Sequence, residues 1–337
     1  MSNRSSLFSK KNLPLFLRWA GTLLALALLL YLLSRQGWGE IMTAFSKVPF
    51  WRFAVALGLT LVSRFAVTGR WHVLLRSAGT KISLLHTLRI TFAGLFASNF
   101  LPTTIGGDVV RLGGAIRLGY DRAVSLASLI VDRLVGMAGM AMAALTLLFS
   151  LPELVHALKV GFSGRGGVKA TRSVMTTYGS IRFLTNAAGL LVGTAVLHPQ
   201  WLQALKERLG RASVRLFEAS KLWLSKPQSL LGALAFTWVH MVCVFGSIWI
   251  LLPSLGETMS FWRIAGLWAL TYFVTLLPIS VNGLGVQELS MTFFFTTFGG
   301  ITTASGLTIA LFMRILPMFA SLPGAVFIPG MLAGDEK

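Results

Sequence analysis

Four groups of ionisable and amide side chains stand beside glycine or proline inside an otherwise apolar sequence, and they are where chemistry could occur. In the first, Asn99-Phe-Leu-Pro102 leads into Gly106-Gly107-Asp108 and Arg111. A helix opening at the paired glycines would put Asp108 and Arg111 on one face. Its free amides and partial positive charge, together with Arg111, would suit a phosphate, although the same spacing lets the two side chains neutralise each other. The second group, Asp132-Arg133, consists of neighbours that cannot face each other on one helix. Each needs another partner: Arg133 with Arg64, Arg89 or Arg314 could line one basic cavity, or both residues could form ion pairs between helices. The third is Asn282-Gly283 with Glu288, where pairing with an arginine is the first expectation, ahead of carrying a proton or meeting a cationic headgroup. The fourth is Arg314, within the last apolar run.

The elements that hold these residues follow from composition. The 337 residues are 55% hydrophobic and 12% charged, and mean hydropathy is +0.73, outside the range of soluble domains. Apolar runs such as Leu134 to Leu151 and Leu230 to Leu252 have helical length and lack the alternation of barrel strands. An all-α integral membrane protein is expected. The net charge of +19 would raise the question of nucleic acid, but the basic residues cluster between apolar runs, as the positive-inside rule requires. No nucleic-acid partner is expected. Cys243 is the lone cysteine and the five histidines are scattered, so neither a disulfide within the chain nor a metal site is expected. No cofactor is expected, because no Walker loop is present.

Along the chain, spans are expected near Leu15 to Leu33, Phe50 to Val73, Ala123 to Leu151, Phe183 to Leu197, Leu230 to Leu252 and Ile301 to Phe327. Arg70, Arg76 and Lys81 read as a basic loop closing the second. Between spans, Leu85 to Gly119 breaks at Pro102, and Trp262 to Gly299 breaks at Pro278. Both read as re-entrant hairpins, since proline and glycine interrupt helices and irregular backbone at membrane depth must line protein or a cavity. Two interrupted helices at corresponding places suggest a transporter-type binding site. Repeat one is assigned to 12–152, a polar connection to 153–182 and repeat two to 183–330, within one transmembrane domain. Three crossings per repeat make the second inverted relative to the first, with both termini cytoplasmic. The connection, placed outside, carries more basic residues than that arrangement favours, and eight spans are the alternative. Trp201 to Trp223 has the pattern of an amphipathic helix for an anionic surface or a partner.

Asn99-Phe-Leu-Pro-x-x-x-Gly-Gly-Asp-x-x-Arg111, Asp132-Arg133 with Gly136, and Leu277-Pro278 with Gly283-Leu-Gly-Val-x-Glu288 resemble the flippase-like transmembrane region of lysylphosphatidylglycerol synthases. The resemblance extends over essentially the whole chain. It implies a protein of the bacterial inner membrane that moves phospholipids or other amphiphiles between leaflets. Membrane lipids with an anionic headgroup are the expected partners, and Asn99, Pro102, Gly106, Gly107, Asp108, Arg111, Asp132, Arg133, Asn282, Gly283, Glu288 and Arg314 the expected substrate contacts. Full synthases append a soluble aminoacyl-transfer domain that uses charged tRNA. The sequence ends at Lys337, so a stand-alone transporter is expected rather than an enzyme. A lipid-headgroup transferase, with Asp108, Asp132 or Glu288 as base, and a non-catalytic scaffold are the rivals.

Overall fold

A computed structural model describes residues 46–101, 106–149, 225–277 and 280–333, with a few isolated positions including Trp223. The expected spans at Leu15 to Leu33 and Phe183 to Leu197, the polar connection, most of the amphipathic segment, and Pro102 and Pro278 lie outside these residues. The described regular structure is helical: α1 Phe50–Ser77, α2 Leu84–Ser98, α3 Gly106–Arg117, α4 Arg122–Phe149, α5 Pro227–Leu251, α6 Phe261–Thr275, α7 Val286–Thr297, α8 Thr303–Ser321 and α9 Pro323–Ala333, with 3-10 turns at Leu252–Leu255 and Val281–Gly283. Phe50–Ser77, Arg122–Leu147, Pro227–Leu255 and Thr303–Ile328 are long and apolar enough to cross a membrane. Large apolar side chains on their outer faces, among them Val62, Phe65, Leu134, Leu145, Val242 and Trp249, are exposed. In a bilayer that exposure carries no hydrophobic cost.

Local sequence explains the boundaries. α1 starts behind Pro49 and ends on Arg76, a cation at the negative end of the helix dipole. The Oγ of Ser83 accepts the His86 amide at the start of α2, and Ser260 and Thr302 cap α6 and α8 in the same way. Pro227 occupies the first turn of α5, where no amide hydrogen is needed.

The interrupted helices match in length. α2 and α3 have 15 and 12 residues, and so do α6 and α7. At 1.5 Å per residue each piece measures about 18–22 Å, less than the hydrocarbon thickness. Within the first pair, a Cβ on Gly94 would fall 2.6 Å from the Gly107 carbonyl oxygen, and one on Gly107 would fall 2.7 Å from that of Gly94. The paired glycines therefore serve backbone contact between α2 and α3.

Hydrogen bonds orient the pairs. α1 and α5 are antiparallel, pinned by Lys226 Nζ to the Ser77 carbonyl (2.6 Å) at one end and by Arg52 Nη1 to Ser254 Oγ (2.8 Å) at the other. Ile82, just before α2, and Leu118 and Tyr120, just after α3, pack in one cluster with Leu75 near the carboxyl end of α1. Glu257, before α6, accepts from the amide and hydroxyl of Thr302, after α7, on the side where Ser254 meets Arg52 at the start of α1. The two pairs thus have their open ends on opposite sides of the bundle. Their interrupted ends touch: Asn282 Nδ2 donates to the Ser98 carbonyl at 2.8 Å, satisfying one of the unpaired carbonyls at the end of α2. Asn99 Nδ2 donates to Ser321 Oγ, also at 2.8 Å.

The main apolar core joins α4 to α8, with Met241, Phe245, Ile264, Leu267, Met291, Phe295 and Leu316 buried. One sequence assignment changes. α1 does not end near Val73, and Arg70 is buried within it rather than placed in a basic loop. Leu74 and Leu75, both buried, carry the apolar stripe a further turn, so the arginine sits inside the stripe. The last span, where Pro317 and Pro323 suggest a kink, breaks at Leu322 before Pro323, while Pro317 is accommodated within α8.

Candidate functional site

Five charged side chains from α1, α3 and α4 converge. Asp132 lies on α4 with its side chain 2% exposed. It accepts from Arg70 Nε at 2.7 Å and Arg70 Nη2 at 3.2 Å, a two-pronged pairing. Its Oδ2 also accepts from Arg111 Nη1 at 3.2 Å. The same Nη1 donates to Asp108 Oδ1 at 3.1 Å, across one turn of α3. The other oxygen of Asp108 takes the Arg133 Nε. Asp132 and Arg133 therefore point to different partners, as adjacent helical residues must. They form interhelical ion pairs, one of the two arrangements open from the sequence.

The surroundings hold the cluster in place. Gly136, one turn after Asp132, makes room for Arg70: a Cβ there would stand 3.0 Å from Nη1. That Nη1 also donates to Thr237 Oγ1 on α5, at 3.3 Å. The Arg111 guanidinium lies 4.3 Å from the centre of the Trp71 ring, within cation–π range, and Trp71 is itself fixed by Nε1 to Ser128 Oγ at 3.0 Å. Tyr272 on α6 is near enough to feel the charges of Arg133, Arg70, Asp132 and Asp108. Among the described residues, three arginines face two aspartates. Arg111 carries the unfilled capacity: its Nε and Nη2 are buried with no hydrogen-bond partner, and only 7% of its side chain is exposed. An isolated buried donor of this kind costs free energy unless something fills it.

At the second interruption the charges are used differently. Glu288, in the first turn of α7, accepts the Gly285 amide at 2.9 Å through one oxygen and Arg314 Nε at 2.6 Å through the other. Arg314 then donates Nη1 to the Asn282 carbonyl (3.2 Å) and Nη2 to the Gly283 carbonyl (3.0 Å). Asn282 has φ 50°, in the left-handed region, followed by Gly283 at 68° and Gly285 at 76°. Glu288 has its first-ranked role, pairing with an arginine. Arg314 fixes an irregular backbone that would otherwise leave carbonyls unpaired.

The expected residues are accordingly divided. Asp108, Arg111, Asp132 and Arg133 form one cluster; Asn282, Gly283, Glu288 and Arg314 form another, and the Asn282–Ser98 bond joins the second to the tip of the first pair. Arg133 and Arg314 each pair with a carboxylate, Asp108 and Glu288 respectively. Gly106 and Gly107 give close packing, Gly106 against the Leu101 side chain. Asn99 ties the first interruption to α8. Sequence reasoning missed Arg70, Trp71, Thr237 and Tyr272. A signal existed for Arg70 in the apolar pair Leu74–Leu75, which carries the helix past the charge.

These features define an integral membrane protein of helical spans and interrupted helices around a cluster of paired arginines and aspartates. Within that class the chain belongs to the family described as the lysylphosphatidylglycerol synthase TM region, which matches residues 18–324. It is also similar to a UPF0104 membrane protein of Archaeoglobus fulgidus, 23% identical over 280 residues that cover 79% of each chain.

Proposed function

We propose that this protein is a flippase or transporter that moves an anionic amphiphile, such as a phospholipid, between leaflets. The observation that carries the reading is Arg111, whose Nε and Nη2 are buried without partners among the described residues. A phosphodiester would supply the missing acceptors.

Other features support it. Two helix pairs too short to span, opening to opposite sides and touching at their interrupted ends, suit re-entrant hairpins in two inverted repeats. The antiparallel course of α1 and α5 suits the same inversion. Arg76, Lys81, Arg117 and Lys226 belong to the end where α1 finishes, and the positive-inside rule makes that end cytoplasmic, in keeping with a bacterial inner membrane. The headgroup would pass along the polar path while the acyl chains stay in lipid, and the hairpins would open it to each leaflet in turn. The carboxylates that a transferase would need as base, Asp108, Asp132 and Glu288, are each engaged by arginine.

The test is reconstitution into liposomes with a fluorescent phosphatidylglycerol and an outer-leaflet quencher. The protein should accelerate loss of the protected inner-leaflet signal. Transfer unchanged by replacing Asp108, Arg111 and Arg133 together would refute the site, and a covalently altered lipid in mass spectra would favour the transferase.

A further inference from the structure

Arg64 is an intramembrane arginine that belongs to neither cluster. It lies midway along α1, about 20 Å from either helix end at 1.5 Å per residue. A side chain reaching for a headgroup region cannot cover that distance. It is half-buried, its Nε is buried without a hydrogen-bond partner, and among the described residues no carboxylate pairs with it. Its neighbour Ser63 gives no compensation, because its Oγ is engaged with His240 Nδ1 at 2.6 Å. An arginine placed in this way is expensive, and such residues mark ligand paths.

Helix geometry says where it points. Trp71 is seven residues on and Phe53 eleven back, each close to a whole number of turns, so Arg64 shares their stripe. Trp71 meets Arg111 on α3 and Ser128 on α4, and Phe53 meets Phe312 and Phe319 on α8. The stripe thus faces the interior. The next residue, Phe65, packs its ring 5.5 Å from that of Phe92 on α2, two residues before the Gly94–Gly107 approach. Arg64 is therefore about 10 Å beyond Trp71 along α1, on the side of the charged cluster towards the interrupted ends.

We infer that Arg64 is a second anion-binding station, which takes the phosphate group of the amphiphile after it leaves Arg111 and before it reaches the opposite leaflet. This rests on the lipid-transfer reading. Seven residues of helix are too long for one phosphate to bridge, so the stations act in succession. The first station holds its arginines with aspartates and binds firmly. The second has no acid among the described residues and is satisfied only while the headgroup is passing.

The experiment compares wild type, Arg64→Gln, Arg64→Lys and Arg64→Leu in vesicles carrying fluorescent phosphatidylglycerol or phosphatidylcholine. Binding of short-chain phosphatidylglycerol in detergent is read in parallel as a shift in Tm. Arg64→Gln should slow phosphatidylglycerol transfer about tenfold, the worth of one charge-assisted contact, while the binding shift persists and Arg64→Lys restores most of the rate. Equal rates in wild type, Arg64→Gln and Arg64→Leu would overturn the station and leave the transfer reading intact. No transfer by wild type would overturn both. Arg64-dependent uptake of radiolabelled inorganic phosphate without lipid transfer would overturn the lipid as source of the anion.

Discussion

The two interruptions are built from helices of equal length yet spend their arginines in opposite ways. At the second, all three nitrogens of Arg314 are bonded, to Glu288 and to the carbonyls of Asn282 and Gly283. At the first, Arg111 bonds through Nη1 alone and keeps two buried nitrogens unfilled. An arginine consumed by its own backbone is a brace. An arginine held in position by two aspartates and an indole face, with donors left over, is prepared for something else. Matching architecture therefore does not mean matching roles, and the unsatisfied donors separate the two.

The comparison can be broken most severely at Asp132. Asp132→Ala removes the carboxylate shared by Arg70 and Arg111 and should cost about 3–5 kcal/mol of stability, the range for stranding a buried charge. Unfolding in mixed micelles measures it; a loss below about 1 kcal/mol would mean that water reaches the cluster freely. Arg314→Lys should have a smaller effect of about 2 kcal/mol, because one ammonium cannot reproduce the fork that reaches Glu288 and two carbonyls. With 19% of the Arg314 side chain exposed, the full buried-pair penalty does not apply. This change should slow transfer without weakening lipid binding, whereas Arg111→Lys should weaken binding; the reverse pattern would exchange the roles assigned to the two arginines.

The smallest expected effect sharpens the link between the regions. Asn282→Gly keeps the left-handed backbone but loses the bond to Ser98, for about 1 kcal/mol. Asn282→Ala loses the bond and also strains the backbone at φ 50°, adding roughly 1 kcal/mol. Equal melting temperatures for the two variants would show that the left-handed conformation is not retained.

Much of this was legible in order along the chain. Proline, glycine and amide residues at Asn99 to Gly107 and at Leu276 to Gly285 announced the interruptions, since helix-breaking chemistry is local. Asp132 beside Arg133 announced outside partners, because neighbours on a helix diverge by about 100°. The partners themselves were not legible. Arg70 looked like the start of a basic loop when judged by nearby charge, and its pairing with Asp132 spans 62 positions. Gly106 and Gly107 read as a phosphate cradle; their packing against the Leu101 side chain and the backbone at Gly94 was not legible.

By itself the sequence determined the class: apolar runs of helical length require membrane helices, and the breakers within two other apolar segments require interrupted helices. Local propensity and transfer free energy suffice for both conclusions. Only the tertiary structure decided that Arg314 is consumed as a brace, that Arg70 completes the buried cluster, and that Arg64 meets no acid among the described residues. Charge pairing between helices depends on which faces meet, and side chains from distant parts of the chain set the balance at each arginine.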